Sequence, residues 1–301
     1  MNYLVESMKG LGDNIFQRHI IKALTSTGNR VWINTPWPEL YYDLPNIQFL
    51  KRSTELRTQK KNLLKVPESV WSTSHPGDCR MINLHYGARE LKNGSIIKAM
   101  EAKAGFKLNV TDFDLSSFGG LPGAVTSNGR PVAVVRPVTV RKEWNNPARN
   151  PLPEYVSECA EGLMKRGYWV ISVADLEAGK EWLLGDDPPC HQKFHNGELG
   201  IVELMGLIED AAMVVGGVGW IVPACIALKT PLFCILGGQG GHNAPGVITD
   251  RRMNLSRIRF ATPDNFCRCV SMTHFCNKKI TNLQYSFTRF LSRYDAAILH
   301  S

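Results

Sequence analysis

The sequence predicts an α/β protein built as two Rossmann-like halves, and three observations carry that expectation. The chain is 301 residues long, more than a typical single domain and suited to two of ~150 residues each. Short apolar runs alternate with segments of helical spacing along most of its length, the pattern of parallel sheets covered by helices. The runs also end in Gly-rich turns, most clearly over 210–241, DAAMVVGGVGWIVPACIALKTPLFCILGGQGG. There an apolar run over 213–215 leads into Gly216, Gly217, Val218 and Gly219. A helical segment over 222–228 follows, and a second run over 231–236 ends in another Gly-rich turn. Such glycines let a phosphate approach the backbone, and the next helix offers free N–H groups and a positive dipole end. Neither GxGxxG nor a P-loop lysine is present, so tight turns under a sheet with no ligand stand as the alternative reading.

The elements follow in order. Residues 3–6 form a strand candidate, and Lys9-Gly10-Leu11-Gly12-Asp13 is the turn after it. Ile15, Ile20, Ile21 and Leu24 recur at helical spacing over 14–24, and Gly28 closes that helix. Residues 30–34 read as the next strand, giving a βαβ start with its turn where such sheets place their sites. Asp13 can cap the helix or act as a general base at the mouth of the sheet. The run 51–65 carries six basic residues, Lys51, Arg52, Arg57, Lys60, Lys61 and Lys65, against Glu55. It reads either as a solvated face or as a patch for phosphates. Residues 81–86 are a strand candidate with His85 at its end, and 95–106 an amphipathic helix. Gly- and Pro-rich residues 119–131 read as the linker, with domains over 1–128 and 129–301. In the second domain come a strand from Val132, the basic Arg136, Arg141 and Lys142, and a helix over 154–166. A strand over 168–174 then ends near Asp175 and Glu177, and a helix over 198–211 feeds the Gly-rich stretch. After His242 the chain is irregular until a terminal helix over 282–299, expected to pack back across the first domain.

The formal net charge of +8 favours an anionic partner. No apolar run reaches the ~18 residues of a membrane span, and the N-terminus lacks a secretory pattern, so a cytoplasmic location is expected. Of eight cysteines, Cys225 and Cys234 lie in apolar runs as buried thiols. Cys267, Cys269, His274 and Cys276 form a local group with metal-ligand chemistry. Its spacing matches no standard zinc module, so a structural loop or isolated thiols are expected and no metal is assigned.

These residues resemble the glycosyltransferases of family nine, the lipopolysaccharide heptosyltransferase group. The opening strand, Gly12-Asp13 turn and long helix look like that family's opening. Arg141-Lys142-Glu143-Trp144 resembles its Lys-Arg-Trp-like segment, and 203–237, with Thr230-Pro231, is similar to its signature run. The resemblance implies a GT-B fold, two Rossmann-like domains facing across a cleft, and an inverting, metal-independent transfer. It implies a nucleotide-sugar donor, UDP- or ADP-linked, with no further cofactor. Asp13 falls where the family has its catalytic base. Arg136, Arg141, Lys142 and the turn Gly216, Gly217, Val218, Gly219 are expected at the donor diphosphate. The family's acidic turn and histidine are replaced here by Gly217-Val218-Gly219 and Val222-Pro223, so a sugar other than heptose is expected, with Glu177 and His242 as substitute contacts. Gly12, Lys51, Arg52, Lys60, Lys61 and His85 are the acceptor-side candidates. The compact first domain and the lost heptose motif lean the acceptor toward hydroxymethylated pyrimidine in duplex DNA, as phage-type DNA glycosyltransferases use. A phosphorylated glycan of the lipopolysaccharide core is the alternative. A non-catalytic polyanion-binding protein of the same fold is the alternative of another class.

Overall fold

The first strand, β1 (Asn2–Glu6), buries Leu4 and Val5 and passes through a tight turn into α1 (Leu11–Ser26). Ile15, Ile20, Ile21 and Leu24 form the buried stripe of α1, and the chain leaves it through Gly28 at φ +76, the left-handed conformation that glycine adopts without strain. Next come β2 (Arg30–Thr35), β3 (Ile47–Lys51), α2 (Arg57–Lys65), β4 (Arg80–Asn83), α3 (Ala88–Leu91) and α4 (Ile96–Ala104). The Ser95 hydroxyl caps α4 by accepting the Lys98 N–H, and Gly105 ends it at φ +77. All pairings in this sheet are parallel, in the order β3-β2-β1-β4.

The computed structural model describes residues 1–92 and 94–298 and divides into two units. One is Met1–Ser116 with Gly246–Asn254, the other Ser117–Pro245 with Leu255–Ser301. The second unit contains β5 (Val132–Arg136), β6 (Thr139–Arg141), α5 (Pro153–Lys165), β7 (Trp169–Val173), β8 (Glu181–Leu183) and β9 (Gln192–Phe194). It continues with α6 (Ile201–Asp210), β10 (Met213–Gly217), α7 (Ile221–Ala227), β11 (Leu232–Ile235), α8 (Gly240–Asn243), α9 (Pro245–Ile248), β12 (Ile258–Ala261) and α10 (Leu283–Ile298). Its main sheet is wholly parallel, in the order β12-β11-β10-β5-β7-β9, and β6 pairs antiparallel with β8. Strands so apolar as β10 and β11 are covered on both faces, as parallel sheets require.

Three features depart from the sequence reading. The C-terminal helix, expected on the first domain, is part of the second unit, where Phe287 and Phe290 of α10 lie 4.9 and 5.6 Å, centroid to centroid, from Phe233 of β11. They share the core of the second sheet with Val156, Cys159 and Leu163 of α5. The chain does return to the first unit, but through residues 246–254. There Asp250 accepts a 2.6 Å hydrogen bond from Ser95, and Arg252 donates to Glu101 at 2.8 Å. The Gly- and Pro-rich stretch lies on the second unit, because Glu209 and Asp210 at the end of α6 accept the backbone N–H groups of Phe118 and Leu121. Among the described residues no helix is long and apolar enough to cross a membrane.

Candidate active site

In an open parallel sheet the crevice lies beyond the strand C-termini, where strand order reverses direction. The first sheet reverses at β1, with β2 on one side and β4 on the other. Asp13, in the first turn of α1, follows β1, and Tyr86 follows β4. The Tyr86 hydroxyl donates to Asp13 Oδ1 at 2.5 Å, which fixes the direction of a half-buried carboxylate. Gly10 leaves the carboxylate its place: a Cβ there would stand 2.6 Å from Asp13 Oδ2 and displace it. Gly12 lies in the same helical turn.

A buried polar lattice holds this turn. Asn14 Nδ2 donates to the carbonyls of Met8 and Gly10 at 2.7 and 2.9 Å, and its Oδ1 accepts from Thr35 and Gln17. Gln17 Oε1 accepts the Met8 N–H, and its amide donates to Tyr41, whose hydroxyl donates to Asn14 O. Trp37 Nε1 and Gln59 Nε2 both donate to Lys9 O, at 2.9 and 2.6 Å. A satisfied network of this kind rigidifies the backbone that it binds.

The acceptor-side candidates separate. Arg52 points inward and donates to Glu6 Oε2 at 2.9 Å. His85 Nε2 lies 2.8 Å from Ser7 O and 3.2 Å from Arg52 Nη2. Its proton serves the nearer carbonyl, and the guanidinium turns to the glutamate. Glu6, Asn34, Arg52 and His85 thus form a polar cluster at the strand ends. Lys51 pairs with Glu68 at 2.5 Å and Lys60 with Glu55 at 2.6 Å, while Lys61 lies on α2. The basic run is therefore the end of β3, an irregular stretch and α2, with some of its charges already matched, and it is not a uniform cationic band.

In the second sheet strand order reverses between β5 and β10. Arg136 ends β5 and is the register partner of Gly216 in β10. A Cβ on Gly216 would come within 3.0 Å of Arg136 Cβ, and one on Gly217 within 2.9 Å of Pro151. A Cβ on Gly219 would meet Arg136 Nη1 at 3.1 Å and Arg149 Nη2 at 3.7 Å. Two guanidiniums therefore lean over the Gly217-Val218-Gly219 turn, and glycine makes room for them. Burial, then the like charges of Arg141 and Arg149, push the Arg136 guanidinium down to about 10. It stays protonated at neutral pH, and an anion placed against it and Arg149 would relieve that repulsion. Arg141 is engaged by buried Glu181 at 2.7 Å.

The other donor-side candidates stand apart. Lys142 is exposed. Glu177 pairs with Lys180 in the turn before β8. His242 sits in α8, its N–H bonded to Gln239 O. The second Gly-rich turn is occupied by protein, since the Gly240 and Gly241 N–H groups donate to Cys267 O and Cys269 O at 2.7 and 3.0 Å. Cys225 and Cys234 are buried thiols, the latter pushed up to about 12 by burial.

Four metal-ligating side chains do converge, where the sequence reading expected a loop or isolated thiols. The donor atoms of Cys267, Cys269, His274 and Cys276 all lie within 4.8 Å of one another. Tyr86 and Arg149 were invisible to sequence reasoning. A tyrosine three residues past a strand end, beside His85, was the available signal for the first. Arg149, inside a Pro-rich stretch, offered none.

No family model matches the chain, and no curated protein matches it in sequence. Solved structures do. The iron-containing dodecameric glycosyltransferase TibC from enterotoxigenic E. coli aligns over 100% of this chain and 78% of its own, at 13% identity and a TM-score of 0.59. The family 9 glycosyl transferase from Veillonella parvula aligns over 100% and 97%, at 12% identity and 0.57. E. coli heptosyltransferase WaaC, solved with ADP, aligns over 98% and 100%, at 10% identity and 0.57. The fold is that of the heptosyltransferases. Both parallel-sheet units of this GT-B architecture are accounted for along the whole chain.

Proposed function

We propose that this chain is an inverting glycosyltransferase that uses a nucleotide-diphosphate sugar, ADP- or UDP-linked, to glycosylate a hydroxyl of a phosphorylated glycan. The observation that carries the reading is the placement of a carboxylate and of a guanidinium pair at the two positions where strand order reverses. The reaction needs two kinds of help, and each unit carries one. Asp13 takes the proton of the acceptor hydroxyl as its oxygen attacks the anomeric carbon. The bond from that carbon to the diphosphate oxygen breaks, and the departing diphosphate gains negative charge. Arg136 and Arg149 stabilise that charge without a divalent cation. Tyr86 keeps the base directed, and the lattice around Asn14 and Gln17 holds its turn. ADP bound to WaaC supports an adenine nucleotide as the first to be tried.

Asp13→Asn should lower acceptor-dependent release of nucleoside diphosphate by roughly 10²–10⁴-fold, with nucleotide binding intact. A thermal-shift panel of ADP, UDP, GDP, CDP and dTDP checks the binding half. A ligand at a hundredfold excess over its Kd adds about 2.7 kcal/mol of stability, and a flat panel would sink the reading. The formal charge of +8 also supports a second acceptor, duplex DNA carrying hydroxymethylated pyrimidines. With Lys51 and Lys60 already paired, that reading leans on net charge. Sugar transfer to such DNA, with affinity that falls steeply with salt, would put DNA in place of the glycan.

A further inference from the structure

Between β12 and α10 the chain runs for some twenty residues without regular structure, and its four soft donors meet in the middle of that stretch. Cys269 Sγ and Cys276 Sγ are 3.6 Å apart, Cys267 Sγ and His274 Nδ1 3.6 Å, and His274 Nδ1 and Cys276 Sγ 3.3 Å. A tetrahedral zinc ion, with Zn–S of about 2.3 Å and Zn–N of about 2.0–2.1 Å, holds its ligand atoms about 3.5–3.8 Å apart. Those three separations are close to the edges of such a tetrahedron. Free thiols and an imidazole gain little from meeting this way in an irregular loop, whereas thiolates bound to a metal gain a great deal.

We infer that Cys267, Cys269, His274 and Cys276 bind one zinc ion through three thiolates and the His274 Nδ1 atom, and that this ion pins the segment carrying Arg149. Three thiolates and an imidazole are a donor set that selects zinc, and four protein ligands leave no open coordination position. The ion is therefore structural. Its loop reaches the Gly-rich turn through the Cys267 and Cys269 carbonyls, which accept from Gly240 and Gly241. Val270 O accepts from Gln239 Nε2 at 3.0 Å, and Gln239 Oε1 accepts from Asn146 at 2.9 Å. The same loop grips the next stretch directly: Ala148 N–H donates to Met272 O at 3.0 Å, and Lys278 to Pro147 O at 2.7 Å. A Cβ on Gly238 would fall 2.5 Å from Cys276 Cβ, and one on Gly237 2.5 Å from Arg149 O, so the turn is pressed between the two segments. Zinc fixes the loop, the loop fixes residues 146–150, and Arg149 is held over Gly219. The zinc site stands without the proposed function; its effect on nucleotide binding rests on that reading.

The test uses the full chain purified without chelator from zinc-supplemented cells. Elemental analysis should find one zinc per chain. Cobalt exchange should give thiolate-to-cobalt charge-transfer bands with a tetrahedral d–d envelope. Cys267→Ser and the exposed His274→Ala should each lose the metal and lower the Tm, and removal of zinc should weaken ADP binding by about tenfold, the worth of one charge-assisted hydrogen bond. Arg149→Ala should lose the same binding while keeping zinc and Tm. Absence of zinc together with absence of a cobalt–thiolate band overturns the inference. So does an intact mass that reveals a disulfide among the three cysteines, and stoichiometric iron overturns the choice of metal. Zinc-stripped protein that binds ADP as tightly as the zinc form overturns the coupling. Zinc at one per chain with no nucleotide bound at all overturns the proposed function and leaves the metal site standing.

Discussion

Tyr86 and Asp13 lie 73 positions apart in sequence and 2.5 Å apart in space. A hydrogen bond to a charged group contributes about 1.5–3 kcal/mol, and this one restrains the rotamer of the group proposed to accept a proton. Tyr86→Phe should keep the fold and the nucleotide affinity and lower kcat by roughly 10–100-fold, the kinetic equivalent of that energy. Equal losses of nucleotide affinity and kcat would show instead that Tyr86 merely supports the unit. Asp13 was legible in the sequence because a carboxylate after a strand and a Gly turn has few places to go. Tyr86 was not, since its partnership arises only when β4 pairs with β1. His85, singled out beside it, spends its Nε2 proton on Ser7 O. The hydrogen bond to the proposed base thus comes from the neighbour of the expected residue.

At the scale of the element, two glycines of the stretch from β10 into its turn should behave differently. Gly216 lies inside β10, and an added Cβ would press on the Arg136 backbone oxygen at 3.2 Å and on Ile221 at 2.9 Å. Overpacking of that kind costs about 1–3 kcal/mol. At Gly219 the nearest obstacle is the tip of the Arg136 guanidinium, which can move. Gly219→Ala should leave the Tm within a degree or two of wild type yet weaken nucleoside diphosphate binding several-fold. Gly216→Ala should lower the Tm clearly, and calorimetry with parallel titrations separates the two. Most strands and helices could be read from apolar runs and helical spacing. β3 and β12 could not, because Ile47–Lys51 and Ile258–Ala261 are short outer strands with polar residues between the apolar ones. The cysteine group was visible as residue types, but only the folding of an irregular loop brings its atoms together.

At the scale of the whole molecule, the first unit depends on charges that acid removes. Burial would raise Asp250, but hydrogen bonds from Arg252 and Ser95 outweigh it and hold the carboxyl well below the usual range. Glu101 is lowered in the same way, burial opposing and Arg252 and His19 prevailing. Burial lowers His19 despite Glu101 beside it. The ring is neutral, accepting the Asp112 N–H at Nδ1 and donating from Nε2 to Glu101. In all three cases the unfolded chain binds protons first. Their stabilisation is complete above the ordinary histidine value of about 6.5 and declines as pH falls, first through His19 and then through the carboxyls below about 4.3. Urea melts should therefore show stability falling from about pH 6.5 downward, and Arg252→Met should lower stability at neutral pH while flattening that decline, because it removes the hydrogen bonds that hold Asp250 and Glu101 down. A profile flat to pH 4 would contradict this.

The tie between Ser95 and Asp250 spans 155 positions, and Arg252 reaches Glu101 across 151. A ribosome finishes the first parallel sheet long before it makes these partners. As the nascent chain lengthens through β5 to β11, Glu101 has His19 beside it but still lacks its guanidinium, and Ser95 caps α4 without its carboxylate. Order of translation and order of completion thus diverge: the sheet that emerges first receives its last stabilising contacts only after most of the second unit has been synthesised.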